Sequence, residues 1–385
     1  YDGETVSAMK NHVRTLSAAH LEGRRAGSEG EKTAAEYVSE IFKEYGIDVL
    51  TPAVGEEFGL KTADGDTLTS RNVIGFVEGY DKKLRDRFIV VGARLDNLGT
   101  MTMTVDGKQV ERIYYGANGN ASGLAMLMEL ARMVGTNSIL FRRSVIFVAF
   151  GASAESYAGA WYFINRAFSS SDKIDAMMNL DMLGTGYNGF YAYTSSNADM
   201  NSLVTRLSAE LQPVHPEVVA AEPYPSDHRA FYSSEIPSVM FTSGVHRDYR
   251  TVRDTPDKLD YSQMARLAEY VYSMALELSD RDARIAMTPM QQPQQKGKEV
   301  IYSPVTVDKM ATFMHGGIEK FLEKWVYEYI KYPDSAIRNG IRGTVIADFV
   351  VDEKGKVKDV RIVESLDDEI EAQVVKVIGA SPKWK

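Results

Sequence analysis

Four mostly apolar runs occur in the larger, N-terminal part of the chain. They are Phe88–Ala93, Ser144–Phe150, Ala176–Met182 and Ser238–Thr242. Runs of this kind are typical of strands buried on both faces of a sheet, as in a parallel sheet covered by helices. Alternation of such strands with helices predicts an α/β fold of three layers with a largely parallel sheet.

Helical spacing of apolar residues appears before, between and after these runs. Residues 4–46 are predicted to be helical, with Gly46 ending the last helix. A further helix has the positions i, i+3, i+4 and i+7, occupied by Leu124, Leu127, Met128 and Ala131. A helix near Tyr261–Leu278 is expected to complete this region, so residues 1–285 are predicted to form one domain.

The pattern changes after residue 285. Residues 286–304 include the glutamine- and proline-rich stretch Met290–Gly297, which has no apolar period and is predicted to be a linker. Residues 305–385 are predicted to form a small α+β domain with two alternating strands joined as a hairpin. Its predicted elements are a helix at Ile318–Ile330, strands at Thr344–Val351 and Val357–Glu364, and a helix at Asp368–Ile378.

Composition narrows the class of protein. The net charge of −9 argues against nucleic-acid binding, which requires a basic face. No run of eighteen apolar residues occurs, so no transmembrane segment is predicted. The chain has no cysteine, which excludes a disulfide, a thiol nucleophile and a cysteine zinc site. Tyr1 is an unusual first residue, and we expect that a leader peptide precedes it in the natural protein.

Polar or small residues follow each apolar run, where binding sites form in open α/β sheets. Five loops are therefore expected to converge at one edge of the sheet. Their residues of interest are Arg94 and Asp96, Gly119, Ser153 and Ala154, Asp181, and Arg250.

Residues 4–278 resemble the di-zinc aminopeptidase family, which also includes glutamate carboxypeptidases and glutaminyl cyclases. Besides the five loops, the resemblance rests on Leu21–Gly27, Ser226–Phe231 and Asp254–Lys258. It implies a three-layer zinc-exopeptidase-like fold with a largely parallel mixed sheet. It also implies a site in which zinc ions activate water.

The resemblance further implies that most metal ligands have been replaced. The family has histidine ligands where this chain has Arg94 and Arg250, a bridging aspartate at Gly119, and a glutamate ligand at Ala154. Only Asp181 keeps its ligand type. A guanidinium has no lone pair to donate, and zinc needs three or four nitrogen, sulfur or carboxylate donors. We therefore expect no bound metal and no cofactor.

The family's general base is also replaced, because its position falls on Ser153. Asp96, which orients the first histidine in the family, is retained. Glu155 could supply a carboxylate only if the local alignment shifts. Two alternatives follow: an active metallopeptidase with a non-standard site formed by Asp181, Asp96 and Glu155, or a metal-independent hydrolase with Ser153 as nucleophile.

The replacements suggest a different use of the cleft. We expect Arg94 and Arg250 to face Asp96 and Asp181, filling the former metal site; the alternative is that both arginines are merely tolerated after loss of function. Two arginines could also seat the carboxylate of a peptide or an acidic small ligand. Further candidates for this pocket are Asp227, His228, His246 and Tyr249. Ser226, Asp227 and His228 are adjacent in sequence and are not expected to form a triad.

Residues 312–385 resemble the TonB C-terminal domain. The resemblance is carried by Phe313–Gly317, Tyr332–Ala336, Gly340–Val345, Asp352–Val357 and Ser381–Lys385. In that family the domain is periplasmic and binds an extended segment of an envelope partner as an added strand. The chain ends where the family continues into another strand, so we expect either a sequence cut short or a shortened domain, and the family's strand pairing does not carry over directly.

Together these observations predict a catalytically impaired or inactive aminopeptidase-like protein, a pseudopeptidase. We expect it to act as a binding or scaffolding module. Both resemblances imply a periplasmic, secreted or cell-envelope location, with an envelope protein as a partner of the small domain.

Overall fold

A computed structural model describes residues 3–62, 65–185, 189–210, 214–287, 311–341, 343–364 and 366–385. The chain divides into two compact units. The first combines Tyr1–Thr100 with Ile113–Pro289, and the second combines Met101–Arg112 with Met290–Lys385. The predicted linker, residues 286–304, lies outside the described residues from position 288 onward. The grouping of residues 101–112 with the second unit was not predicted from the sequence.

The helices and strands are as follows. The helices are α1 (Gly3–Leu16), α2 (Glu29–Glu44), α3 (Ser122–Thr136), α4 (Ala158–Tyr162), α5 (Ala198–Glu210), α6 (His228–Ser233), α7 (Tyr261–Asp280), α8 (Ile318–Phe321), α9 (Tyr327–Tyr329), α10 (Asp334–Arg338) and α11 (Asp368–Gly379). The strands are β1 (Asp48–Val49), β2 (Glu56–Lys61), β3 (Thr67–Val77), β4 (Phe88–Arg94), β5 (Thr100–Val105), β6 (Lys108–Ile113), β7 (Ser144–Phe150), β8 (Ile174–Leu180), β9 (Tyr191–Tyr193), β10 (Glu217–Val219), β11 (Ser238–Thr242), β12 (Ile346–Val351) and β13 (Val357–Glu364). Short 3₁₀ or π turns lie at Ala19–Arg24, Ala117–Ala121, Ser138–Leu140, Phe163–Ala167, Ser171–Lys173, Pro256–Lys258 and Leu322–Val326.

The first unit is built on one mixed sheet in the order β1-β3-β7-β4-β8-β11-β9-β10, with β2 paired to β3. The four apolar runs form β7, β4, β8 and β11, which are mutually parallel at the centre. β3 adds to them antiparallel. The predicted α/β class with a largely parallel mixed sheet is therefore confirmed.

Alternate side chains of the central strands enter two apolar cores, as expected for a sheet covered on both faces. Ile89 and Val91 pack into the larger core, which is shared with α1, α2, α3 and α7. Val90 enters the smaller core on the other face, together with residues of α4 and α6. Helices on both faces bury the sheet, which explains why both faces of its central strands carry mostly apolar side chains.

Local sequence signals explain where the early helices begin and end. The Ser28 side chain accepts a hydrogen bond from the Glu31 amide and caps the start of α2. Gly46 lies just past the end of this helix with φ of 71°, a conformation that glycine adopts at little cost. Among the described helices, none combines the length and apolar character that crossing a bilayer requires.

In the second unit, the predicted helix Ile318–Ile330 is interrupted. α8 continues through a wider π turn at Leu322–Val326 into α9. β12 and β13 form the predicted antiparallel hairpin, although β12 begins at Ile346 rather than Thr344. Trp384 closes this core: its ring lies 4.9 Å from that of Phe321, and its amide donates to the carbonyl of Gly355.

Candidate functional site

The sheet register brings the predicted loops to one edge. Arg94 pairs with Phe150 across β4 and β7, and Phe241 pairs with Leu180 across β11 and β8, so these strands end at the same level. The loops that leave them surround a pocket with about 220 Å³ of space, open solvent included, of which about 10 Å³ is enclosed. The residues that line it are Arg94, Asn97, Tyr114, Gly116, Gly119, Tyr249, Arg250, Thr251 and Asp254.

Arg94 and Asp181 form an ion pair beside this pocket. The Arg94 Nε lies 3.1 Å from Asp181 Oδ1 and 3.0 Å from Oδ2. The Asp181 side chain is almost fully buried, whereas that of Arg94 is 18% exposed. Burial alone would lower the pKa of Arg94, but the Asp181 carboxylate raises it above its ordinary value. The pair is the contact expected from the sequence, and it keeps Arg94 charged.

Two further side chains hold Asp181. The Ser226 hydroxyl donates to Oδ2 at 2.6 Å, and the Tyr224 hydroxyl donates to the main-chain carbonyl at 2.9 Å. Burial, and then the charge of Asp181, raises the pKa of Tyr224 well above its usual value, so this hydroxyl stays a donor. Neither role was identified from the sequence, where Ser226 was only part of a matching motif.

Asp254 organises the loop that contains Gly119. Its carboxylate oxygens accept the amides of Asn118 at 2.8 Å and Gly119 at 2.9 Å. Burial raises the pKa of Asp254, while the two amides and the nearby Arg94 and His246 favour its charged form. Sequence reasoning placed Asp254 in a matching motif but missed that it faces the pocket.

Asp96 does not behave as predicted. Instead of pairing with Arg94 or Arg250, its oxygens accept the amides of Ser153 at 2.7 Å and Ala154 at 3.2 Å. Backbone amides can provide the hydrogen bonds that a buried carboxylate needs, as an arginine can. No sequence pattern predicts which amides will do so. Burial raises the pKa of Asp96. The expected four-residue cluster is therefore limited to Arg94 and Asp181.

Ser153 is buried and donates its hydroxyl to Asp227, at 2.8 Å from Oδ1. Burial raises the pKa of Asp227 well above its usual range. Among the described residues, the Ser153 hydroxyl bonds to the Asp227 carboxyl group and the Phe150 carbonyl, and to no histidine that could accept its proton. The geometry therefore gives no support to the interpretation of Ser153 as a nucleophile. Asp227 lies beneath the loops rather than on the pocket wall.

The other candidates divide between the pocket and its surroundings. Tyr249 lines the pocket, and its ring lies 5.9 Å from that of Tyr224. His228 does not: its Nε2 lies 2.7 Å from Glu222 Oε1, in a separate buried pair. Ser226 bonds to Asp181 and Asp227 bonds to Ser153, so the three adjacent residues have three different partners. As expected, they do not form a triad.

His246, Ala154 and Glu155 lie outside the pocket wall. His246 is buried, which lowers its pKa, and its Nε2 has no hydrogen-bond partner among the described residues. Ala154 is exposed, and Glu155 is partly buried without reaching the pocket lining. The local shift that would turn Glu155 inward is not observed. Of the six former metal-site positions, Arg94, Gly119 and Arg250 line the pocket.

Arg250 is the second cation of the pocket and differs from Arg94. No hydrogen bond or ion pair joins it to another described residue, and its Nε is buried without a partner. Its backbone adopts φ of 56°, the left-handed region that costs a residue with a side chain about 1 kcal/mol or more. The predicted contact between Arg250 and an aspartate is therefore absent from the described part of the chain.

Arg24 anchors the pocket loops from below. It is fully buried, and its guanidinium donates only to main-chain carbonyls. These belong to Leu16, Leu95, Tyr115 and Gly116. Burial lowers the pKa of Arg24 to about 10, so it remains charged at neutral pH. The sequence marked Leu21–Gly27 as a motif without showing this function.

The side chains at the former metal positions do not fit a zinc ion. Within the residues that the structure describes, no group of three or more histidine, cysteine, aspartate or glutamate side chains could hold a metal. Arg94 binds the carboxylate that would serve as a ligand, and its guanidinium cannot coordinate a cation. The donor set therefore differs from that of a zinc peptidase.

Residues 72–275, more than half of the chain, match the sequence profile of peptidase family M28, and the chain belongs to this family. Residues 328–385 match the profile of the Gram-negative bacterial TonB protein C-terminal domain. Both resemblances inferred from sequence motifs are thereby confirmed.

Individual relatives are distant. Aminopeptidase YwaD of Bacillus subtilis is 22% identical over 316 residues, which cover 74% of this chain and 66% of that protein. Leupeptin-inactivating enzyme 1 of Streptomyces exfoliatus is 25% identical over 241 residues, which cover 62% of this chain and 49% of that protein. The match thus spans about two thirds and about half of these relatives. The solved aminopeptidase from Aneurinibacillus sp. strain AM-1 has a TM-score of 0.56 at 20% identity, covering 74% of this chain and 96% of the other, which shows the shared fold.

Proposed function

We propose that this protein is a non-catalytic member of family M28 whose former metal site serves as a binding site. The observation that carries the proposal is the Arg94–Asp181 ion pair. Asp181 stands at the only ligand position whose residue type is retained, and Arg94 stands at a replaced one. A buried carboxylate that is held by an arginine is not available to a metal.

The remaining chemistry supports the same conclusion. Hydrolysis of a peptide by this fold requires a polarised carbonyl and a base that takes a proton from water. The residue at the base position, Ser153, donates its hydroxyl to Asp227, and burial raises the pKa of that carboxyl group. Glu155, the alternative carboxylate, does not reach the pocket wall. Binding without catalysis is the function that these residues favour.

The second part of the proposal concerns location and partner. The match of residues 328–385 to a Gram-negative TonB C-terminal profile supports a role in the bacterial envelope, with a protein partner at the small domain. The pocket of the M28 domain would then present or retain a ligand, while the small domain provides the link to the partner.

The test is the metal content of the full chain after incubation with zinc and dialysis against metal-free buffer. Well below one zinc per chain is expected, about 0.1 or less, because fewer than three donors remain. Aminoacyl and peptidyl substrates should be hydrolysed no faster in the presence of the protein than with buffer alone. One or two tightly held zinc ions with chelator-sensitive hydrolysis would contradict the proposal.

A further inference from the structure

We propose that the pocket binds a small molecule through a single carboxylate group, and that Arg250 is the residue that receives it. This inference rests on the proposed function and specifies its ligand. It starts from the different states of the two pocket arginines: Arg94 is neutralised by Asp181, whereas Arg250 has no partner among the described residues.

The unpartnered Nε of Arg250 indicates that something is missing from the site. A buried polar N–H group without an acceptor is costly, and a charged one more so, which is why such groups are nearly always paired. The left-handed backbone at Arg250 adds to this cost. A side chain held in this way at the wall of a pocket, rather than turned outward, is explained if an anion completes its hydrogen bonding.

The charges around the pocket limit the ligand to one negative charge. Asp181 faces Arg94, and the Asp254 oxygens accept main-chain amides while the same arginine lies close by. Arg250 is thus the one cation of the wall without a counter-charge in the described residues. A dianion such as phosphate would bring a second negative charge toward two aspartates, which is unfavourable.

Shape points to a planar anion. A carboxylate accepts two parallel hydrogen bonds from a guanidinium, a geometry that an ammonium group cannot reproduce. The enclosed part of the pocket measures about 10 Å³, room for one water-sized group, so the carboxylate would enter it while the rest of the ligand lies in the part that opens to solvent. Tyr114 and Tyr249 provide apolar walls for the part of the ligand beyond the carboxylate.

The experiment uses N-acetylglycine as the carboxylate probe, N-acetylglycinamide as a neutral probe of equal size, and inorganic phosphate as a dianion. Binding to the zinc-free full chain is measured by saturation-transfer NMR and by calorimetry. N-acetylglycine is expected to bind, with the amide and phosphate at least about tenfold weaker, because a hydrogen bond to a charged group contributes about that factor. Equal binding of the amide, or stronger binding of phosphate, would overturn the inference.

Three variants test whether Arg250 is the residue that binds the carboxylate. Arg250→Gln keeps the backbone conformation but removes the charge, and should weaken N-acetylglycine binding at least about tenfold. Arg250→Lys keeps the positive charge but cannot donate two parallel hydrogen bonds, and this variant should bind N-acetylglycine with intermediate affinity. Arg247→Gln, which removes an exposed arginine of the same loop outside the pocket wall, should leave binding unchanged. Unchanged binding by Arg250→Gln, or by Arg250→Lys if the first variant does not fold, would refute the assignment to Arg250.

The outcome separates this inference from the proposed function. A zinc-free, inactive protein that does not bind N-acetylglycine would contradict only the carboxylate site. A protein that holds zinc and hydrolyses peptides would contradict the proposed function, whichever probe it binds.

Discussion

A Cβ atom placed on Gly119 would lie 3.1 Å from Nη2 of Arg94 and 3.6 Å from Oδ2 of Asp254. The family resemblance puts a bridging aspartate at position 119 and a histidine at position 94. The arginine guanidinium now lies where the aspartate side chain would begin. The size of the residue at 119 and the size of the residue at 94 are therefore sterically coupled.

This relationship predicts that Gly119→Ala is destabilising only while Arg94 is present. The added methyl group must displace the guanidinium, and overpacking of this kind costs about 1 kcal/mol or more. In an Arg94→Ala background the same substitution should cost little. Urea denaturation of the four proteins in the cycle measures the coupling between the two positions.

Gly59→Ala is the matched control, because a Cβ at this glycine meets no atom within 4 Å. It should shift the unfolding midpoint only slightly in either background. Equal costs for Gly119→Ala with and without Arg94 would show that the two positions are independent.

The ion pair between Arg94 and Asp181 should contribute to the stability of the folded protein. Removing either partner alone should therefore lower the free energy of unfolding. Arg94→Met leaves the Asp181 carboxylate buried without a counter-charge and is expected to cost about 3 kcal/mol of unfolding free energy. Asp181→Asn combined with Arg94→Met should cost less than the sum of the two single changes by at least about 1 kcal/mol. Unfolding in urea at constant ionic strength provides the measurement, and strict additivity would contradict the prediction.

Glu31 should make stability depend on pH. Burial, reinforced by the nearby Asp96, raises the pKa of Glu31 from 4.5 to about 7, although Arg71 lies 3.9 Å from its carboxylate. The folded protein therefore holds this proton more tightly than the unfolded chain. The stabilising contribution is complete below pH 4.5 and is lost as the pH rises toward 7.

Glu31→Gln removes this titration while keeping a group that can bond to Ser70 and the Gly27 amide. The variant should gain stability relative to the wild type between pH 5 and pH 8, approaching about 3 kcal/mol. Glu29→Gln, an exposed glutamate of the same helix turn, is the control and should show no such gain. A parallel pH profile for Glu31→Gln and wild type would show that Glu31 ionises normally.

The four central strands of the sheet were predictable because their signal is local and strong. β4, β7, β8 and β11 are mostly apolar, and each was located to within about two residues. β9 and β10 were missed because three residues are too few to show a period. The separate two-stranded sheet of β5 and β6 was missed for a different reason, since its side chains are mostly partly exposed or exposed and show no apolar face.

The candidate site was predictable in position but not in its contacts. The chain order of the loops indicated that Arg94 and Asp181 would meet, and they do. That Asp96 would instead accept main-chain amides depends on the path of the 150–155 loop, which no residue pattern specifies. The role of Asp254 was likewise hidden, because the amides that donate to its carboxylate lie more than 130 residues away along the chain.

The amino-acid sequence by itself determined the fold class, the family, and the loss of ligand types at the metal positions. These follow from side-chain chemistry and periodicity, which are properties of single residues and short segments. Only the tertiary structure decided which charges neutralise each other. That distinction depends on distances between residues remote in sequence: Arg94 meets Asp181 within hydrogen-bonding distance, whereas Arg250, of the same residue type and at the same edge of the sheet, meets no acceptor among the described residues.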